Sequence, residues 1–261
     1  IFEELNITHK LLSMLQNFES IVLIWLGIGF ITFITLLKIP APYGKFSKTN
    51  WGPMIPSKLG WIVMEIISPL ALLYFFLNGN IEKTPTNITF ISLWTLHYFN
   101  RSVIYPLRQN NPAQMPLIIA VLAFLFNVMN GYINGTYFGS IQEYSAEYMS
   151  NWNFIVGVCL FIIGAYINIK SDNILLSLRS KSGEYKIPEG FMFRYVSFPN
   201  YFGEILEWMA FAIMTWSLAG LSFMIWTMAN LVPRAIKGHQ WYHSKFESYP
   251  KNRKAIFPFI I

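Results

Sequence analysis

Two pairs of an amide and a carboxylate recur at the same spacing in apolar surroundings. Asn168 and Asp172 are four residues apart near the end of one apolar stretch, and Asn200 and Glu204 repeat that spacing at the start of the next. On a helix, residues at i and i+4 share a face. Such groups facing each other would offer acceptors to ribose hydroxyls and both donors and acceptors to a carboxamide. The spacing therefore indicates either wet helix ends or a polar ligand pocket.

Two further polar groups lie within apolar stretches. Glu65 has no cation in its own helix, so its carboxyl group is expected to be protonated, paired or directed into a cavity. Tyr98 could direct its phenol into the protein interior or belong to an interfacial aromatic belt. An intramembrane carboxyl group more often has a functional reason than a packing reason, which makes Glu65 a candidate catalytic residue.

Basic and aromatic residues follow both amide–carboxylate pairs and could hold phosphates. They are Arg179, Lys181, Tyr185, Lys186 and Arg194, and then Arg234, Lys237, His239, Tyr242 and Lys245. The alternative is a cluster of cations that only sets membrane orientation, and this is the preferred interpretation for Lys181, Lys251, Arg253 and Lys254.

The elements that must position these groups are membrane helices. Hydrophobic residues make up 54% of the 261 residues and charged ones only 12%, with a mean hydropathy of +0.41. We therefore expect an all-α integral membrane protein with a single domain, 1–261. Apolar stretches near the length of a bilayer span predict seven transmembrane helices. Their approximate positions are 12–37, 60–78, 87–107, 115–136, 152–170, 201–217 and 219–236.

The distribution of lysine and arginine between these stretches predicts their orientation. Basic loops alternate with loops poor in lysine and arginine, which places the N-terminus outside and the C-terminus in the cytosol. The cytosolic loop 171–200 and the tail 234–261 would then contribute to a ligand site. A tight Leu218-Ala219-Gly220 connection predicts that the last two helices form a hairpin.

Several other kinds of site are excluded or disfavoured. Gly27 and Gly29 lie within an apolar stretch without a preceding strand or a third glycine, which excludes a Rossmann fingerprint. His239 and His243 have helical spacing, but no glutamate follows the first, so no metal site is expected. The basic clusters lie between membrane stretches, and nucleic-acid binding is not expected.

Several motifs recur together along most of the chain. They are Glu65-(x)2-Ser68-Pro69, His97-Tyr98-Phe99-x-Arg101, Ile104-Tyr105, Asn130-Gly131, Ile167-Asn168-Ile169-x-Ser171-Asp172, Tyr185-Lys186-Ile187-Pro188, Asn200-Tyr201-Phe202-Gly203-Glu204-Ile205-x-Glu207-Trp208, Arg234-Ala235, and Trp241-Tyr242 through Phe246-Glu247-x-Tyr249-Pro250-Lys251. Together they resemble the membrane-embedded steroid 5-alpha-reductases, which are seven-helix enzymes that use NADPH to reduce the 4,5 double bond of 3-oxo-4-ene steroids.

The resemblance implies a division of labour between two groups of residues. Glu65 and Tyr98 would hold the ketone of the substrate. The NADPH site would be lined by Asn168, Asp172, Arg179, Tyr185, Lys186, Asn200, Glu204 and Tyr242, with Arg234 and His239 nearby. A lipophilic, steroid-like substrate would arrive through the membrane lipids. A monomeric bacterial homologue in the inner membrane is expected, or a protein of the endoplasmic reticulum if the source is eukaryotic.

The chain departs from the family pattern at three positions. Met64 replaces a glutamine before the glutamate, Leu122 replaces an arginine, and Gly238 replaces a histidine. Alternative substrates are a polyprenyl compound or an enoyl thioester, also reduced at a carbon–carbon double bond. Isoprenylcysteine methyltransferases share the architecture of the tail, but Glu65 with Tyr98 argues against methyl transfer. A transporter is a further alternative, although the chain shows no internal symmetry.

Overall fold

Helices account for almost all of the regular structure. The computed structural model describes residues 2–109, 113–178 and 185–261, with side chains from residue 15 onward. The helices and strands are α1 Phe2–Lys38, β1 Met54–Pro56, α2 Ser57–Leu77, α3 Pro85–Phe99, α4 Tyr105–Leu107, β2 Gln114–Pro116, α5 Leu117–Thr136, α6 Trp152–Leu178, α7 Pro199–Thr215 and α8 Leu218–Lys245. A π-helical segment, Asn100–Ile104, joins α3 to α4.

Four stretches of described helix are long and apolar enough to cross a bilayer. They are Leu15–Lys38, Ser57–Leu77, Leu117–Ile141 and Trp152–Leu178. The prediction of an all-α integral membrane protein is confirmed by these helices. The count of seven spans and the orientation of the termini stay predictions. Helices α3 and α7 have only 15 and 17 residues, and α8, with 28 residues, is not among the four apolar stretches.

Two predicted boundaries differ from the structure. The hairpin connection is Trp216-Ser217, whereas Leu218 already begins α8. Trp216 ends α7 with a left-handed backbone (φ 46°), and the Ser217 side chain accepts a hydrogen bond from the Gly220 N–H as the N-cap of α8. The fifth predicted span ends at residue 170, but α6 continues to Leu178. Both Asn168 and Asp172 therefore lie inside a continuous helix.

The segment between α1 and α2 contributes a short sheet. Met54–Pro56 pairs antiparallel with Gln114–Pro116, the segment just before α5. This pairing ties the first residues of α2 to the first residues of α5, and the two helices then pack along their length. At Gly131 a Cβ atom would lie 2.6 Å from the Ala71 Cβ, so only glycine permits the close approach of α5 to α2.

Glycines also allow α6 and α7 to approach closely. A Cβ atom on Gly203 would lie 2.5 Å from the Asn168 backbone nitrogen, and one on Gly164 would lie 2.7 Å from the Gly203 carbonyl oxygen. Small residues at a helix crossing let two backbones meet. Since Gly203 lies between Asn200 and Glu204, this crossing brings the two amide–carboxylate pairs together.

Candidate active site

The two amide–carboxylate pairs form one hydrogen-bonded cluster between α6 and α7. Asn200 donates from Nδ2 to Asp172 Oδ1 at 3.0 Å, and Asn168 donates from Nδ2 to the Asn200 carbonyl oxygen at 2.9 Å. Asn168, Asp172 and Asn200 are all buried. Buried amides and carboxylates are costly unless they are paired, so the cluster is held together by its own hydrogen bonds.

A cation from the π-helical segment after α3 completes this cluster. Arg101 donates from Nη1 to Asp172 Oδ2 at 3.2 Å, and its Nη2 lies 3.7 Å from Glu204 Oε2. The three side chains are 5–15% exposed. Arg101 therefore links α3, α6 and α7 through one guanidinium. The sequence motif places Arg101 near Tyr98 but does not predict that it links the three helices. The π-helical turn that carries Arg101 is a feature frequent at functional sites.

Two acceptor atoms in the cluster lack a hydrogen-bond partner among the described residues. They are Asn200 Oδ1 and Glu204 Oε2, and both are buried. Buried acceptors without partners are rare in native proteins, and such groups mark places where a ligand can supply donors. A carboxamide N–H or ribose hydroxyls of a nicotinamide dinucleotide would satisfy them, so the donor and acceptor set fits that cofactor.

Glu207, on the same helix as Glu204, makes a separate contact. Its Oε2 lies 2.8 Å from His97 Nδ1, and the His97 ring stands edge-on to Trp208 with centroids 4.7 Å apart. The sequence placed Glu207 beside Asn200 and Glu204. The structure shows that His97 on α3 is its partner, so this carboxylate joins α7 to α3.

Glu65 and Tyr98 lie together on the facing sides of α2 and α3. Glu65 is partly buried and within electrostatic range of Arg101, Glu204 and His97. Tyr98 is 5% exposed, interacts electrostatically with Glu65, and donates from its hydroxyl group to Asn127 Oδ1 at 3.3 Å. The two predicted ketone-binding residues are therefore neighbours, next to the cluster around Arg101.

A second group of residues lies at the start of α7 and in the second half of α8. Arg234 donates from Nε to the Tyr201 hydroxyl at 2.9 Å, and its guanidinium stacks over the Tyr43 ring at 3.5 Å. Tyr43 is also within electrostatic range of Glu65 and Arg101. Arg234 is thus connected through Tyr43 to the polar cluster, whereas sequence reasoning had placed it only near the cofactor.

Lys45 occupies an aromatic cage beside Arg234. Its ammonium lies 4.3 Å from the Tyr242 ring centroid, 4.6 Å from that of Phe198 and 4.8 Å from that of Trp241. Burial among these rings, followed by the positive charge of Arg234, lowers the pKa of Lys45 to about 7. No local sequence pattern could place Lys45 against Tyr242, because the two residues are almost 200 positions apart in the sequence.

The remaining predicted cofactor residues are distributed around this second group. Tyr185 packs against Trp241 with ring centroids 5.0 Å apart, while Lys186 is exposed. His239 Nδ1 lies 2.6 Å from the Ser197 hydroxyl oxygen. Burial and the neighbouring His243 lower the pKa of His239 to about 4, so it is neutral at pH 7 and acts as a hydrogen-bonding group. Arg179 lies outside the described residues.

Comparison with known proteins identifies relatives over nearly the whole chain. The family described as 3-oxo-5-alpha-steroid 4-dehydrogenase matches residues 113–261. The steroid 5-alpha-reductase DET2 of Solanum lycopersicum is 43% identical over 248 residues, covering 93% of this chain and 96% of the relative. The 3-oxo-5-alpha-steroid 4-dehydrogenase 1 of Rattus norvegicus is 37% identical over 256 residues, covering 96% of both.

These matches, together with the apolar helices, define an integral membrane oxidoreductase. The chain belongs to the 3-oxo-5-alpha-steroid 4-dehydrogenase family, which confirms the resemblance of its motifs. A bacterial origin has no support from these relatives.

Proposed function

We propose that the protein reduces the 4,5 double bond of a 3-oxo-4-ene steroid with NADPH. The names of its relatives, steroid 5-alpha-reductase and 3-oxo-5-alpha-steroid 4-dehydrogenase, support the substrate class. The observation that carries the proposal is the buried cluster around Arg101 beside Glu65 and Tyr98, in which Asn200 Oδ1 and Glu204 Oε2 accept no hydrogen bond from the described residues, although Glu204 Oε2 lies 3.7 Å from Arg101 Nη2. Cofactor-binding and ketone-binding groups are thereby adjacent.

Residues of α6 and α7 would hold the nicotinamide half of the cofactor. Asn168, Asp172, Asn200 and Glu204 would bind its carboxamide and ribose, because they provide fixed amide and carboxylate groups in a buried site. The bound dinucleotide supplies a hydride. Its phosphates would interact with Lys45, in the segment between α1 and β1, and with a second set of residues. That set is Tyr242, Arg234 and His239 on α8, Tyr185 and Lys186 in the segment before α7, and Arg179.

Glu65 and Tyr98 would act on the ketone oxygen of the substrate. Reduction at the β carbon of an enone increases the negative charge on that oxygen. Hydrogen bonds from a protonated Glu65 and from the Tyr98 hydroxyl group are stronger when this charge has developed, so they stabilise the transition state more than the bound substrate. Tyr98 is buried and Glu65 is partly buried, which reduces the screening of these hydrogen bonds by water and increases the effect of each donor.

The proposed topology has seven spans with the N-terminus outside and the C-terminus in the cytosol. Helices α1, α2, α5, α6, α7 and α8, together with the combined helix from α3 to α4, correspond to the seven apolar stretches. This orientation would open the second group of residues, at the start of α7 and in the second half of α8, to the cytosol, where NADPH is available. Substrate would enter from the lipid, and the protein would work as a monomer.

A substrate panel tests the proposal directly. We expect the purified protein in detergent to oxidise NADPH when a 3-oxo-4-ene steroid is added, and to do so faster than with a polyprenal or an enoyl thioester. The measurement is the loss of NADPH absorbance, with product mass confirming the addition of two hydrogens. Faster reduction of the polyprenal or the thioester would contradict the steroid assignment but retain an enone or enal reductase, whereas failure to bind NADPH would contradict both.

The low pKa of Lys45 predicts a pH dependence of cofactor binding. Protonated Lys45 attracts a phosphate, and this charge is lost as pH rises through about 7. NADPH binding should therefore weaken by about 25-fold between pH 6.5 and pH 8.5, because the protonated fraction of Lys45 falls from about three quarters to about 3% over that range. Nearby charged or titratable groups are Arg234, which stays charged, and the Tyr242 phenol. The measurement is the dissociation constant for NADPH as a function of pH.

The matched variants are Lys45→Met and Lys48→Met, because Lys48 lies in the same loop but is exposed. Lys45→Met should bind NADPH weakly at both pH values and lose the part of the pH dependence that Lys45 causes. Lys48→Met should show the same pH dependence of the dissociation constant as the wild type. Titration of the cofactor phosphate near pH 6 is common to all three proteins, so it cancels in the comparison. An unchanged slope in Lys45→Met would contradict the role of this lysine.

A further inference from the structure

A proline in α2 disrupts the backbone next to Glu65. Pro69 lies inside α2 and has no N–H, so the Glu65 carbonyl, four residues earlier, lacks its helical donor. The proline ring also pushes this carbonyl away from the helix axis, which loosens the turn that carries Glu65. A helix interrupted at this point needs external support if the Glu65 side chain is to keep one position.

Asn127 on α5 meets α2 at this turn. It donates from Nδ2 to the Met64 carbonyl oxygen at 2.5 Å, one residue before Glu65. Its Oδ1 accepts the hydrogen bond from the Tyr98 hydroxyl group at 3.3 Å. Asn127 is 2% exposed, and its side chain also lies beside that of Glu65. A single buried amide therefore contacts both helices that carry the candidate ketone-binding groups.

The two hydrogen bonds fix the orientation of the amide. The Met64 carbonyl accepts but cannot donate, so it selects the nitrogen of Asn127 and leaves the oxygen for Tyr98. The Tyr98 hydroxyl group, which also lies beside the Ser68 side chain, therefore meets the oxygen of Asn127, and the amide cannot turn its nitrogen towards Tyr98 without losing the Met64 hydrogen bond. At 3.3 Å this contact is longer than the usual 2.7–2.8 Å of O–H···O hydrogen bonds. The Tyr98 hydroxyl group can therefore give up this hydrogen bond and donate to a ketone oxygen instead at low cost.

We propose that Asn127 is a positioning residue for the reduction. It holds the Tyr98 hydroxyl group and the turn of α2 that carries Glu65 where both can donate to the ketone oxygen. The inference rests on the proposed function, because it assumes that Tyr98 donates to the substrate. Asn127 itself touches neither cofactor nor reacting carbon in this account. It acts through Tyr98 and through the backbone beside Glu65.

The test is a double-mutant cycle between Asn127→Leu and Tyr98→Phe, with kcat and KM measured separately for each variant. Leucine has a similar size to asparagine but cannot form either hydrogen bond. We expect Asn127→Leu to lower kcat by about tenfold with little change in KM, since misplacing a donor weakens transition-state binding more than substrate binding. Once Tyr98→Phe has removed the hydroxyl group, Asn127→Leu should reduce kcat by a clearly smaller factor.

Asn130→Leu is the matched control. Asn130 is also a buried amide on α5 and bonds across helices, accepting from Trp25 Nε1 at 3.1 Å, but it does not contact Tyr98. Its effect on kcat should be the same with Tyr98 or Phe at position 98. NADPH affinity of each variant checks that the fold is retained, and Asn127→Ala serves as a second variant if leucine prevents folding.

The outcomes separate the two proposals. If Tyr98→Phe alone keeps wild-type kcat, the proposed role of Tyr98 in the function is wrong. Suppose instead that Tyr98→Phe lowers kcat but Asn127→Leu has no effect, or lowers kcat by the same factor with tyrosine and with phenylalanine at position 98, as Asn130→Leu should. The positioning role of Asn127 is then overturned and the proposed function stands.

Discussion

Replacing Glu65 with alanine should lower kcat by about 10²- to 10³-fold, the usual effect of removing one donor to a developing oxyanion. The carboxyl group lies beside Tyr98 and Asn127 and near Arg101, at a partly buried position of α2. Loss of a donor there leaves the charge on the ketone oxygen without one of its two partners. NADPH binding should change little, because Glu65 is assigned to the substrate.

Glu65→Gln is the informative companion, since its amide keeps a donor of similar size. We expect glutamine to lower kcat less than alanine does. Glu147→Ala, which removes an exposed carboxylate from the segment before α6, should leave the rate unchanged. The assay is steroid-dependent oxidation of NADPH. Near wild-type turnover in Glu65→Ala would show that the ketone is not bound as proposed.

The second large effect is expected at Arg101 and concerns stability. Arg101→Met would remove the guanidinium that pairs with Asp172 and lies 3.7 Å from Glu204, and no other described cation pairs with Glu204. Removing one partner from a buried ion pair costs about 3–5 kcal/mol, because a charge is left in a low-dielectric environment. The variant should therefore unfold at markedly lower denaturant concentration in detergent.

Arg108→Met is the control for this experiment. Arg108 is exposed and donates one hydrogen bond, from Nη1 to Asn173 Oδ1 at 2.7 Å. Its loss should change the free energy of unfolding by no more than about 0.5 kcal/mol, as is usual for surface positions. If both variants unfold at the same denaturant concentration as the wild type, Arg101 does not hold the three helices together as we infer.

Local spacing predicted the parts of the site that a single helix controls. The i, i+4 pairs in α6 and α7 needed only helical periodicity, and the structure brings them into direct hydrogen-bond contact. Their role in binding a cofactor stays a prediction. The apolar stretches likewise predicted the helices, because the length and composition of a membrane helix are set by the bilayer. Boundaries were less accurate where a cap residue, such as Ser217, decides the end of an element.

The contacts between distant helices could not be predicted in this way. Arg101 reaches Asp172 across 71 residues, and Asn127 reaches Met64 across 63. Lys45 and Tyr242 are almost 200 residues apart in the sequence. These partners depend on which helix faces which, and that is decided by close contacts such as the one between Gly164 and Gly203. A glycine in an apolar helix indicates such a contact, but it does not show which helix lies opposite.

The most direct test of the central claim is to follow the hydrogens. Purified protein would be given a 3-oxo-4-ene steroid and NADPH carrying deuterium at the reactive C4 position of the nicotinamide, and the product would be analysed by mass spectrometry and NMR. We predict one deuterium at C5 of the steroid, with the hydrogen at C4 coming from the solvent. A product without deuterium at C5, or no steroid product while NADPH is bound, would contradict the account.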